Sequence, residues 1–501
     1  MTSTPGSADP HPPSGELAFL DAHALASELA ERGSAPVVEQ LVGRMGALDH
    51  AGPELHALIA LSPTAVDEAA RLDEERRAGR IRGPLHGIPV LVKDNIDTAG
   101  SMGTTAGSLA LTAAPPTRDA PLVERLRAAG AIVAGKANLS EWANIRSKHS
   151  SSGWSAVGGQ CRNPHALDRS PGGSSSGSGA SVAAGYVPLA VGTETDGSII
   201  CPASVNGVVG LKPTVGSIPG TGIVPISHRQ DTAGPMGRSV RDVAALFAVL
   251  SDTELVDVAR RPVDQVRGLR IGIPRKLLWG YDRAADDGAA TAVTALRDAG
   301  VDVVDEVELP ELPEGERYAV ALGTELVHDV AAYLATRTGL PVIDLAEVVA
   351  FNLEHAATEM RWFGQDWFDN ALEIVGRAHG TGFDDPAYVE AVAETVRVGR
   401  TGIDDALRTH RLDALVAPTY PPTWKIDLVN GDHVTGASST HPAMAGYPVI
   451  SVPCGMYEGL PLGVAFMAAG GSEPTLLRLG AGVEALLGQA PPPAFRPPTV
   501  G

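Results

Sequence analysis

The chain is 501 residues long, 44% hydrophobic and 20% charged, with a formal net charge of -20. That length can bury a sizeable core without disulfide or metal staples, and the acidic balance, spread along the chain, excludes the basic footprint that nucleic acid or an anionic membrane requires. Cys161, Cys201 and Cys454 show no CxxC spacing and form no even framework, so they read as small buried hydrophobes in a reducing compartment.

The first 19 residues (1–19), opening MTSTPGSADPHPPSG, have neither the basic nor the apolar segment of a signal peptide and read as a disordered lead. From Ala22 to about Asp49 apolar residues recur at helical spacing, which predicts two helices split near Gly33 to Pro36. A charged helix follows over Val66 to Arg80. LHGIPVLVKDNID then changes character, to a short apolar run bounded by Gly and Pro that reads as a buried strand. LVERLRAAGAIVAGKAN is a helix followed by a strand, and SGASVAAGYV with LAVGTETDG repeats that theme. VNGVVGLKPT is a further strand, and GLRIGIP, GAATAVTALRDAG and VDVVDEVELP form a βαβ unit. The segment at about 314–406 reads as mostly helical, a natural place for substrate specificity, and LDALVAPT, YPVISVPCG and GLPLGVAFMA read as strands after it. This alternation predicts an α/β fold: a large mixed, mostly parallel β-sheet covered by helices on both faces. One domain is expected over 20–490, carrying the helical insertion, with a Pro-rich tail at 491–501. No run of 18 apolar residues exists, so no membrane span is expected and the cytoplasm is the default location.

SPGGSSSGSGA, Ser170 to Ala180, has the composition of a flexible linker. Yet it enters a helix at once, and the next strand exits into a second glycine turn, TETDGS. Such turns can aim backbone N–H groups at one spot, the geometry an oxyanion needs. Hydroxyls at Ser174 and Ser198 lie on two loops that a helix–strand unit can bring together. A serine becomes a nucleophile only when an adjacent base takes its proton. A lysine can serve if burial keeps it neutral near pH 7. Lys93, Lys136 and Lys212 each stand in or after an apolar run, and the physics of the sequence does not choose among them. Cys201, three residues beyond Ser198, is a thiol alternative to be tested.

These motifs, taken in order, resemble the amidase signature family of serine hydrolases. The resemblance rests on GIPVLVKDN (Gly87 to Asn95), GGSSSGS (Gly172 to Ser178), GTETDGS (Gly192 to Ser198), GLKPT (Gly210 to Thr214) and DTAGPM (Asp231 to Met236). It implies a catalytic triad of Ser198 as nucleophile, Ser174 as bridging serine and Lys93 as general base. It further implies an oxyanion hole built from the backbone N–H groups of Thr195, Asp196, Gly197 and Ser198, and a cis peptide bond between Gly173 and Ser174. The implied reaction is acyl transfer through a serine ester, with no cofactor and no metal. The expected partner is a small-molecule or peptide amide, with no nucleic acid and no membrane, and the protein is expected as a monomer or homodimer.

Two departures from the broad pattern bear on substrate. Ile200 stands where many members carry arginine, which weakens the case for a bound substrate carboxylate. Asp196 stands where many carry glycine; its side chain either orients a substrate amine or amide, or faces outward. The segments LSEWAN, SGWSAVGGQCRNP and VPISHRQDTAGPM are most similar to the bacterial peptide amidases, which implies hydrolysis of a C-terminal peptide amide. The alternatives are a general aliphatic or aryl amidase or esterase, the amidase component of a tRNA-dependent amidotransferase, and an inactive binding protein. Trp362, Phe363, Trp367 and Phe368, in a chain only 4% aromatic, read as core at helical spacing or as an acyl pocket, with Trp424 a similar candidate.

Overall fold

Short apolar runs bounded by Gly and Pro become the strands of one sheet in the computed structural model, which describes residues 15–313, 315–377 and 382–498. In chain order these are β1 (Leu58–Leu61), β2 (Pro89–Lys93), β3 (Ile132–Ala137), β6 (Leu189–Glu194), β7 (Val209–Lys212), β8 (Thr232–Gly237), β9 (Arg270–Gly272), β10 (Asp302–Val304), β11 (Ala414–Pro418), β12 (Val449–Tyr457) and β13 (Leu460–Met467). A separate small pair joins β4 (Trp154–Ser155) to β5 (Gly159–Gln160). Across the eleven-stranded sheet the order is β1-β3-β2-β6-β8-β7-β12-β13-β11-β9-β10.

The α/β class, the mixed sheet and the helical covering are as the sequence predicts. The parallel character is weaker than predicted. β3–β2, β2–β6, β11–β9 and β9–β10 pair parallel, while the other described neighbours pair antiparallel. One reason is β8, which inserts antiparallel between β6 and β7. Its sequence, TAGPMG, contains the two residues that ordinarily argue against a central strand. Gly234 is suited to that slot because a Cβ there would strike the Leu211 carbonyl of β7.

Residues alternate between the two faces of the sheet, as the two-residue strand period requires. Val90, Val92, Leu189 and Val191 point into the larger core with Leu122, Val123, Leu126, Val243 and Leu246. Leu91 and Ala190 point the other way, toward Ala180, Ala183 and Tyr186. Lys93 falls on the Leu91 face, where the helix Ser176–Ala183 lies. Burying each aliphatic side chain here contributes about 1.5–3 kcal/mol.

Helices Gly315–Leu334, Leu345–Glu354, Asp366–Gly376, Pro386–Val396 and Gly402–His410 occupy most of the segment read as helical. Leu326, Val330, Leu345, Phe368 and Ala371 of this region share a core with Ala106, Trp142 and Val224 of the main body. The expected disordered lead lies largely outside the described residues, but Gly15–Ala18 within it is a helical turn with Leu17 buried. The Pro-rich tail is pinned as far as it is described. Phe495 N donates to Pro164 O at 2.9 Å, and Leu167 N donates to Arg496 O at 2.9 Å. Among the described residues no helix is long and apolar enough to cross a membrane.

Candidate active site

Strand pairing brings the first two polar groups together. β2 and β6 run parallel with Val92 opposite Val191, so Lys93 emerges beside Thr193 at the ends of two fully buried strands. Lys93 Nζ lies 2.8 Å from Thr193 Oγ1, 3.2 Å from Thr193 O and 2.8 Å from Ser174 Oγ. Asn95 Nδ2 donates to the same threonine hydroxyl at 3.0 Å. Lys93 is wholly buried. Burial lowers its pKa to about 7, against the opposing pull of Asp231 and Glu194.

The three candidate lysines differ in what they touch. Lys136, also buried, donates to Ile96 O at 2.7 Å and Gly103 O at 2.9 Å and pairs with Asp94. Lys212 donates to Tyr447 O at 2.6 Å. Both anchor backbone; of the three, Lys93 is the one in contact with a candidate serine.

The serine tract is rigid because it is tightly packed. Its helical part buries every residue from Ser176 to Ala183. A Cβ on Gly177 would come within 2.6 Å of both Asn138 N and Asn138 O, and one on Gly173 within 2.7 Å of Ser152 Oγ. Small residues are required for contact, not for freedom. The Gly173–Ser174 peptide bond is cis. Each hydroxyl then has its own address. Ser175 Oγ donates to Thr193 O at 3.0 Å, Ser176 Oγ to Gly172 O at 2.6 Å and Ser178 Oγ to Val191 O at 3.2 Å, leaving Ser174 facing Lys93. Ser175 N donates to Ser198 O at 3.0 Å and ties this tract to the second loop.

That second loop, Thr195 to Ser198, turns between β6 and the helix Ile200–Asn206, with Gly197 at a φ of 81°. Glu194 holds the far side of the turn, its Oε2 accepting from Ile199 N at 2.7 Å and Ile200 N at 3.0 Å. Cys201 N donates to Gly197 O at 2.8 Å. On the near side Thr195 Oγ1 donates to Asp231 Oδ1 at 2.5 Å, and Asp231 Oδ2 accepts from Ile226 N and Ser227 N. Burial pushes the Asp231 carboxyl up to about 6. Backbone held at both ends in this way does not need to reorganise when charge develops beside it.

Thr195, Asp196, Ser198 and Gly173 line a cavity of about 240 Å³, with Asn144, Tyr318, Trp424 and Asp432 among the opposing walls. Ser198 is 9% exposed and Ser174 and Lys93 fully buried, so the three positions grade from the cavity inward. A larger cavity of about 580 Å³ near helices Gly315–Leu334 and Asp366–Gly376 contains none of the candidate catalytic residues. Asp196 does not face outward: its carboxylate accepts from Tyr318 Oη at 3.4 Å and Thr440 Oγ1 at 3.5 Å. Ile200 is fully buried. Cys201 also lines the cavity, but burial raises its thiol pKa well above the usual range, so it stays protonated.

The aromatic candidates divide. Phe368 packs edge-on against Trp142, and Phe363 against Trp154 beneath the Arg146 guanidinium. Trp362 is 37% exposed and Trp367 lies under Lys148. None of these four lines the 240 Å³ cavity, whereas Trp424 does. Tyr318 and Asp432 enter the site without a sequence signal of their own; Thr193 and Asp231 had one, as members of GTETDGS and DTAGPM.

The fold and this site describe an amide-hydrolysing enzyme. The family model described as Amidase matches residues 37–477, and the chain belongs to the amidase family. The native peptide amidase of Stenotrophomonas maltophilia superposes with a TM-score of 0.87 at 44% identity, covering 95% of this chain and 98% of that one. An amidase family protein from Bacillus anthracis gives a TM-score of 0.83 at 31% identity, covering 95% and 93%. A glutamyl-tRNA(Gln) amidotransferase component of Symbiobacterium thermophilum is 36% identical over 475 residues, 91% of this chain and 93% of its own.

Proposed function

We propose that the protein hydrolyses the C-terminal amide of peptides to a carboxylate and ammonia through an acyl-enzyme on Ser198. The observation that carries this reading is the buried Lys93, with a pKa near 7, in contact with Ser174 directly behind the cavity that Ser198 lines. The likeness to the Stenotrophomonas peptide amidase supports the substrate class.

In the proposed sequence Ser198 Oγ attacks the amide carbonyl while its proton passes to Ser174 Oγ and the Ser174 proton passes to neutral Lys93. The N–H groups of Thr195, Asp196, Gly197 and Ser198 stabilise the oxyanion. Lys93 returns its proton through Ser174 to the departing nitrogen, so ammonia leaves and the Ser198 ester remains. Water then attacks that ester, the same relay accepts its proton, and the carboxylic acid is released with Ser198 restored.

The amidotransferase relationship supports a second reading, in which the ammonia is passed to a partner. Ile200, and a cavity whose described lining contains no Lys, Arg or His to meet glutamine's carboxylate, favour the first. Ammonia release from peptide amides, simple carboxamides, free glutamine and aryl esters separates them. Preference for peptide amides supports the proposal; preference for glutamine, with copurification of a tRNA-binding partner, overturns it.

A further inference from the structure

The cavity beside Ser198 has an acidic lining. Among the described residues it is lined by two carboxylates, Asp196 and Asp432, from distant parts of the chain, and by no Lys, Arg or His. Asp432 follows Trp424 on the segment after β11 and is partly buried. It is also rigidly placed. Trp424 Nε1 donates to Oδ1 at 2.8 Å, Ser152 Oγ to Oδ2 at 2.5 Å, and Ser152 N lies 3.1 and 3.2 Å from the two oxygens. A carboxylate offers about four acceptor positions, so these three donors leave it able to take one more. Trp424 and Ser152 line the same cavity. A preorganised acceptor is therefore held at the wall of a reaction chamber, next to an indole that gives an apolar body to whatever binds. Asp196, with its long contacts to Tyr318 and Thr440, places a second carboxyl group on the side of the nucleophile.

Resting on the amide-hydrolase reading above, we infer that Asp432 is a specificity-determining residue that accepts an N–H from the acyl part of the substrate, selecting amides with a cationic acyl group and rejecting those with a carboxylate. Like charges juxtaposed in a desolvated site cost affinity, while an N–H donated to a charged acceptor is among the stronger polar contacts.

The test separates binding from chemistry. Calorimetry on the Ser198→Ala protein is carried out with four amides: leucinamide, cationic at its α-amine; N-acetyl-lysinamide, cationic at its side chain; neutral N-acetyl-norleucinamide; and the anionic α-amide of N-acetyl-glutamic acid. At least one cationic ligand is expected to bind about ten- to a hundredfold tighter than the neutral one, with the anionic ligand weakest. Adding Asp432→Asn is expected to close the gap between cation and anion by tenfold or more. Equal affinities across the four, or an Asp432→Asn protein that weakens all four alike, overturn the inference; the second result would make Asp432 a pin for Ser152 and Trp424 only. Should Asp432→Asn fail to fold, Asp196→Asn in the Ser198→Ala protein decides: a gap between cation and anion that persists supports Asp432, and one that closes by tenfold or more overturns the assignment. If the expected order of affinities holds but the unmodified enzyme hydrolyses none of the four, the amide-hydrolase reading fails and the assignment of Asp432 stands.

Discussion

Lys93→Met tests the base assignment through stability as well as activity. In the folded protein burial lowers the Lys93 pKa from 10.5 to about 7. Each pKa unit corresponds to about 1.4 kcal/mol, so at neutral pH the buried amine costs the fold about 4–5 kcal/mol relative to the unfolded chain. The sign follows from proton counts. Between pH 7 and about 10 the unfolded lysine binds a proton that the folded one has released, so stability attributable to this residue rises with pH, by about 1.4 kcal/mol per unit. Below pH 7 the penalty is complete. Methionine removes the penalty but leaves Ser174 Oγ and Thr193 Oγ1 without their lysine contact, a loss of about 1 kcal/mol each. Lys93→Met should therefore be inactive yet about 2–3 kcal/mol more stable than the parent at pH 7. Denaturant titrations at pH 7, 8 and 9 measure this, and the two stabilities should converge as pH rises. A difference that stays constant over that range would refute the buried, depressed lysine. The activity of the parent should show the matching ionisation. The neutral fraction of a base with a pKa of about 7 rises roughly tenfold from pH 6 to pH 8, and ammonia release at subsaturating substrate should follow; a flat profile would remove Lys93 as the base.

The remaining predictions concern the serines and the thiol. Ser198→Ala should abolish hydrolysis, by about 10³-fold or more in kcat, and a mass shift on trapping the acyl-enzyme should vanish with it. Ser174→Ala should cost most of the activity with little change in melting temperature, since only one buried hydroxyl contact is lost; retention of more than a tenth of the activity would show that Lys93 acts without a bridge. A single residue inserted after Gly173 should both inactivate and destabilise, because Gly173 and Gly177 have no room beside Ser152 and Asn138; a linker would tolerate it. Cys201→Ala should retain hydrolysis, since burial holds that thiol protonated, and a thousandfold loss would reinstate sulfur as nucleophile.

Most strands were legible because their residues are buried on both faces, giving unbroken apolar runs such as PVLVK and LAVGTE. β8 was not, because Gly234 and Pro235 are chosen by the backbone of β7 beside them rather than by strand propensity. Its insertion is also one reason the sheet is less parallel than βαβ units alone imply. In the site, Lys93, Ser174 and Ser198 were nominated by the resemblance of their motifs to the amidase family, while the residues alone left Lys93, Lys136 and Lys212 open. Trp424 was legible only as a candidate, and Asp432 not at all, because it acquires its role through hydrogen bonds to Ser152, some 280 positions away.

By itself the sequence determined the periodicities that make an α/β sheet, the small-residue tracts and the serines at their ends. These are local properties, set by side-chain volume and by the two- and 3.6-residue repeats. Which lysine meets a serine, whether the glycine–serine tract is loose or packed, and what charge the cavity carries were decided only by tertiary structure. Each depends on residues from separate strands and loops meeting in a volume that excludes water, and it is that exclusion which shifts Lys93 toward neutrality.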